Sequence, residues 1–153
     1  MVSIIRQAQK NDYERILAFL NKAQLNVENI SNCLENFLLV VDENNELKAT
    51  IGFDLENKKA LIRSLAILPT VTQKELLLLI EQCIILATKM EVDEIYLLAK
   101  KNTNAQLFYF FEFVQRPMEE SLLPLLVKNG YTFEEGAVLF QKNVNNWHKL
   151  STI

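Results

Sequence analysis

Few residues in this chain are of a type, and at a spacing, that does chemistry. Cys33 and Cys83 are the only cysteines, and His148 is the only histidine. Two cysteines so placed form no disulfide framework and lack metal-ligand spacing. Neither has a paired base at motif spacing, so both read as buried thiols. His148 lies in a polar tail beside Trp147, which offers no catalytic setting. No metal site is expected. The carboxylates Asp54 and Glu56, late in an expected strand, could take a proton from a nucleophile, or they are solvated strand-end charges. Arg63, in the strand that follows, could meet an acidic substrate or be a salt-bridged strand residue.

Any such chemistry needs a scaffold, and 153 residues with 50% apolar and 23% charged content are enough for one domain with its own core. The net charge is −3, with the two signs interspersed and no basic stripe, which argues against nucleic acid as a partner. No apolar run approaches the ~18 residues of a membrane span. The first residues lack a long apolar segment followed by a cleavage site, and free thiols fit a reducing compartment, so a cytoplasmic protein is expected.

Hydrophobic periodicity supplies the elements. A strand is expected over 3–6, then a helix from a cap at Asn11 or Asp12 to about residue 22, with Ile16, Leu17, Phe19 and Leu20 on one face. A short helix is expected over 27–34. Apolar runs over 37–41, 47–55 and 59–68 are separated by Asp42-Glu43-Asn44-Asn45 and Glu56-Asn57-Lys58, the pattern of an antiparallel meander. Pro69 stops the third strand. A long helix follows over 73–90, then a strand over 94–99, a helix over 103–110, a strand over 113–115, a helix over 121–128 and a strand over 138–142. Pro124 opens that last helix and Gly130 closes it. The order β-α-α-β-β-β-α-β-α-β-α-β predicts an α/β domain, a mixed sheet with helices on its faces, over 1–143, with a C-terminal tail over 144–153. In the long helix, Leu78 and Ile85 fall inside an otherwise polar stripe. Either a neighbouring loop covers them or they form a self-association surface for a homodimer.

Four segments resemble the GNAT superfamily of N-acetyltransferases: IIRQAQKNDYERILAFL (4–20), ATIGFDLENKKALIRSLAILP (49–69), Asn102-x-x-Ala105-x-x-Phe108-Tyr109, and MEESLLPLLVKNGYTFEEGAVLFQK (118–142). The last segment, with its Leu-Pro and late strand, and the phrase ALIRSLAILP (60–69) resemble the subgroup of N-acetylglutamate synthase domains and arsenic-resistance acetyltransferases. The resemblance spans 4–142 and implies the acyl-CoA N-acyltransferase fold, acetyl-CoA as cofactor, and transfer of acetyl to an amine of a small molecule. It assigns the backbone of Leu65, Ala66 and Ile67 to the acetyl and pantetheine arm. It assigns Asn102 to the same arm and Tyr109 to protonation of the departing thiolate, a role a phenol of pKa about 10 suits. The start of the long helix, Thr72, Gln73, Lys74, Glu75, Leu76 and Leu77, would receive the pyrophosphate.

That last segment departs from the family's Gln/Arg-x-x-Gly-x-Gly/Ala loop. Thr72 stands in the Arg position, and Gln73, Glu75 and Leu77 stand in the glycine positions. Glycine there lets backbone N–H groups approach a phosphate at a helix N-terminus. Losing two such charge-assisted bonds, at roughly 1.5–3 kcal/mol each, weakens binding by on the order of 10²- to 10⁴-fold. Glu75 adds a like charge, which Lys74 partly offsets. After Tyr109 the family's Leu-Gly-Phe turn becomes Phe111-Glu112-Phe113, with Glu where Gly is preferred. Two readings stand: an acetyl-CoA-dependent N-acetyltransferase with a degenerate phosphate loop, or a catalytically silent module of the same fold that binds a ligand or itself.

Overall fold

Alternation along the strands decides the architecture. In the computed structural model, which describes residues 3–100, 103–130 and 137–144, successive residues of one strand enter different cores. Leu38 and Val40 join one apolar cluster while Leu39 and Val41 join another, as a period of two requires.

The elements are β1 (Ile4–Gln7), α1 (Tyr13–Lys22), β2 (Leu38–Val41), β3 (Leu47–Glu56), β4 (Lys59–Ile67), α2 (Gln73–Lys89), β5 (Glu94–Ala99), α3 (Gln106–Phe110), β6 (Val114–Arg116), α4 (Leu123–Lys128) and β7 (Val138–Asn143). The mixed α/β order expected from the sequence is present, with one change. The helix expected over 27–34 is instead two short 3-10 turns, Ile30–Asn32 and Leu34–Asn36. Asparagine chemistry is the reason: Asn29 takes a left-handed φ of 63°, Asn26 Oδ1 accepts from the Glu28 amide, and Asn32 donates to Asn29 Oδ1. Such local bonds compete with an α-helical ladder.

The strands form one seven-stranded sheet in the order β1-β2-β3-β4-β5-β7-β6. Every described pairing is antiparallel except β4 with β5, which are joined by the crossover helix α2. On one face α2 contributes Leu79, Ile80, Cys83 and Ala87, and Phe108 and Phe113 close the same cluster. On the other face Ile16 and Leu20 of α1 cover Leu39 and Val41. There too Leu125 and Leu126 of α4 cover Leu61, Tyr96 and Leu139. Both faces are therefore buried. Val144 follows β7 and donates its amide to the Asp93 carbonyl at 3.0 Å.

Two irregularities shape the middle of the sheet. The parallel ladder runs only from Lys59↔Glu94 to Ile62↔Leu97, although β4 continues to Ile67. On its other side β4 pairs Arg63 with Gly52 and Ala66 with Thr50, so Ser64 and Leu65 together face Ile51 alone. This is a β-bulge, which bends and twists the strand that carries the extra residue. Ser64 takes a φ of 60° there.

Gly52 lies directly beside this bulge. A methyl group added to it would come within 2.5 Å of the Phe37 ring, itself fully buried. Gly52→Ala is expected to lower stability by about 1–3 kcal/mol through overpacking, read as a lower urea midpoint with an unchanged m-value.

Candidate functional site

The site suggested by the sequence draws on three elements, β4, the start of α2, and α3. The structure brings parts of each to the same region. Leu65 of β4 and Leu76 of α2 pack on the apolar cluster that also takes Leu107 and Phe111 of α3. Ala66 points the other way, into the cluster beneath α1. Ile67 is 44% exposed. No strand pairs with this half of β4 on the β5 side among the described residues, so its backbone borders an open wedge.

The start of α2 is built differently from a glycine-rich loop. Thr72 is its N-cap, and its Oγ1 accepts from the Glu75 amide at 3.1 Å. Glu75 folds back, and its Oε1 accepts from the Thr72 amide at 2.9 Å. The pair is a capping box, and Thr-x-x-Glu is its sequence signature. That signature is present in the sequence at 72–75, at the positions where the family's loop has glycine. The backbone hydrogen bond from Thr72 is the main reason the Glu75 carboxyl titrates below the usual carboxylate range. Gln73, Lys74 and Leu77, with Leu78, Glu81, Phe110 and Phe111, line a groove of about 550 Å³ between α2 and α3.

Tyr109 is in the last turn of α3, 51% exposed, with its ring edge-on to Phe140 at 6.0 Å. The groove reaches the next residue, Phe110. The turn that follows closes as a glycine turn would, despite Glu112. Its amide donates to the Tyr109 carbonyl at 3.0 Å and the Phe113 amide to the Phe108 carbonyl at 3.0 Å, with Glu112 at a φ of 68°. This is a Schellman ending with glutamate in the left-handed position. Lys142 of β7 supports it, donating to the Phe111 carbonyl at 2.9 Å and lying 3.6 Å from the Glu112 carboxylate. Asn102 lies outside the described residues.

The remaining candidates other than Cys83 sit on the opposite side of the sheet. Asp54 and Arg63 form an ion pair at 3.0 Å, with side chains 4% and 0% exposed. Asp54 is thus neither a solvated strand-end charge nor an accessible base. Arg63 also donates to Asn129 Oδ1 at 3.3 Å and to the Asn26 carbonyl at 3.3 Å. Glu56, at the end of β3, has its Oε2 buried with no hydrogen-bond partner among the described residues. Cys33 and Cys83 are buried and free. Burial pushes both thiols up to about 12, helped at Cys33 by the nearby Asp54 charge, so neither is a nucleophile near neutral pH. Sequence reasoning passed over Ser64 and Thr50, because nothing local marks a bulge.

No family model matches the sequence. A Bacillus subtilis (strain 168) protein described as "Uncharacterized protein YwlB" is 25% identical over 143 residues, 90% of this chain and 95% of that one. Among solved structures, Rv2747 from Mycobacterium tuberculosis, in complex with CoA and NLQ, aligns at TM-score 0.72 and 9% identity, covering 93% of this chain and 99% of that one. N-acetylglutamate synthase from Neisseria gonorrhoeae, complexed with coenzyme A and N-acetyl-glutamate, aligns at 0.70 and 17% identity over 95% of this chain. This chain spans 36% of that one. An acetyltransferase of the GNAT family from Staphylococcus aureus Mu50 aligns at 0.68 and 15% identity over 94% of this chain and 100% of the other. The chain has the GNAT acyltransferase fold.

Within the GNAT fold, the glycine-poor start of α2 is the local departure with a measurable consequence. Glu75 has a lowered folded-state pKa, so its stabilising contribution is present above the unfolded value of about 4.3 and is lost as pH falls through the lower folded value. Thr72→Ala is expected to cost about 1 kcal/mol at neutral pH. Glu75→Gln is expected to flatten the decline in stability below pH ~4.3, both read by urea unfolding across a pH series.

Proposed function

We propose that this protein is an acetyl-CoA-dependent N-acetyltransferase acting on an amine of a small molecule. One observation carries the reading: the second half of β4 is bulged and has no partner on its β5 side, leaving backbone groups of Leu65, Ala66 and Ile67 for an extended ligand arm. The start of α2 and the end of α3 flank a groove. Solved structures of the same fold that contain CoA support the cofactor.

In this reading the pantetheine arm lies along β4, held also by Asn102. The diphosphate meets the opening amides of α2 across Thr72, Gln73, Lys74, Glu75, Leu76 and Leu77, with Lys74 supplying the countercharge. The amine nitrogen attacks the thioester carbonyl carbon. The carbon–sulfur bond then breaks, the thiolate takes a proton from the Tyr109 hydroxyl, and the amine gives up its own proton to water. Two free thiols fit a reducing cytoplasm as the setting. Calorimetric titration with acetyl-CoA is expected to give saturable binding in the millimolar range or below. A flat titration at millimolar ligand overturns the assignment.

A second reading is favoured by different residues. The capping box already satisfies part of the helix start, and Leu78 and Ile85 are 40% and 41% exposed on α2 rather than covered. A catalytically silent module that self-associates through α2 would account for both. Sedimentation is then expected to give a dimer for the wild type and a monomer for Leu78→Glu/Ile85→Glu. Two monomers rule the association out.

A further inference from the structure

Among the described residues Lys48 is the only buried lysine, at 9% exposure. The two partly buried lysines carry ion pairs, Lys59 with Glu94 and Lys142 with Glu112. Lys48 makes no side-chain hydrogen bond and no ion pair with a described residue. Lysine is almost never buried unpaired, because taking its charge out of water is costly.

Its place in the fold is the entrance to α2. Val40 pairs with Ala49 and Val41 with Leu47, which leaves Lys48 as the extra residue of a second bulge, in β3. A bulge re-aims the side chain of the residue that leaves the ladder. The Lys48 carbonyl accepts from the Leu68 amide at 2.9 Å. Leu68 opens a tight turn, its own carbonyl accepting from the Val71 amide at 3.0 Å. Thr72, the cap of α2, follows at once. In the first turn of the helix Glu75 holds its carboxylate against the Thr72 amide at 2.9 Å. That amide is the main cause of the lowered Glu75 pKa, and Ser3 and Lys48 act in the same direction. A buried cation and the opening of a long helix thus meet around one anion, and that anion is the chain's own carboxylate.

We propose that Lys48 is a phosphate-binding residue and that Glu75 is a built-in stand-in, its carboxylate occupying the place that a phosphate of the donor takes when bound. The proposal rests on the acetyl-CoA reading above and adds a residue from β3 to the helix start and Lys74. Donor binding then requires the Glu75 carboxylate to swing off the Thr72 amide. Removing the Glu75 charge strengthens binding, a gain that structural damage does not produce. Removing the Lys48 charge weakens it.

Calorimetric titrations with acetyl-CoA and with inorganic pyrophosphate are run on the wild type, Glu75→Gln and Lys48→Met, with thermal unfolding of each. Glutamine at the third helical position keeps the capping box and removes only the charge. Glu75→Gln is expected to raise the affinity for both ligands about 3- to 10-fold, and Lys48→Met to lower it by a similar factor, the effect of one unit charge near a protein surface. If Lys48→Met does not fold, Glu75→Gln decides alone. An unchanged or lowered acetyl-CoA affinity in Glu75→Gln, or wild-type affinity in Lys48→Met, overturns the proposal and leaves the donor reading in place. Pyrophosphate binding in the expected order, with flat acetyl-CoA titrations, upholds the anion site and overturns the donor reading. Flat titrations with both ligands on all three proteins overturn both.

Discussion

Parallel pairing between β4 and β5 stops at Ile62 and Leu97, and the proposed donor site depends on that interruption. Continuous pairing would consume every backbone donor and acceptor along β4, leaving no edge for an extended ligand inside the sheet. The bulge at Ser64 and Leu65 is the local cause available in the structure, since the extra residue bends β4 as it leaves the ladder with β3. An edge opened in mid-sheet has a cost in unpaired backbone groups. Helices α2 and α3 lie on the same face, and their Leu76, Leu107 and Phe111 pack on the same apolar cluster as Leu65.

The buried Asp54–Arg63 pair supports this arrangement from the other face. Burying two charges is expensive, and their mutual attraction repays it only when the remaining donors are also satisfied. Arg63 meets that condition through Asn129, Asn26 and Ser64 as well as Asp54. A guanidinium presents its donors in a fixed planar fork, so one side chain can set the relative positions of β3, β4 and the segments at the ends of α1 and α4. Lysine could not do this, because its donors share a single nitrogen.

At the start of α2 the chain satisfies part of its orphan amides internally. A glycine-rich loop leaves them to an anionic ligand, whereas the Thr72–Glu75 box satisfies one with a hydroxyl and supplies a carboxylate of its own. The groove alongside remains open and is lined by Gln73, Lys74 and Leu77. Helix stability and anion affinity pull in opposite directions at this terminus, and this sequence has moved toward stability.

The sequence by itself determined the order of the strands and of all the helices but the one expected over 27–34, because periodicity, turn residues and caps act within a few positions of one another. The meander from β2 to β4, its stop at Pro69, and the long α2 were all legible for that reason. Thr-x-x-Glu at 72–75 was legible too, being a local motif. Only the tertiary structure decided the rest. The insertion of β7 between β5 and β6, the two-against-one register at Ser64, and the meeting of Asp54 with Arg63 and Asn129 all join residues distant along the chain. Which of those distant groups meet is set by packing on the two faces of the sheet. Asp54 looked like a solvated charge because its partner is fixed by strand register, and register depends on how the whole sheet buries its apolar residues.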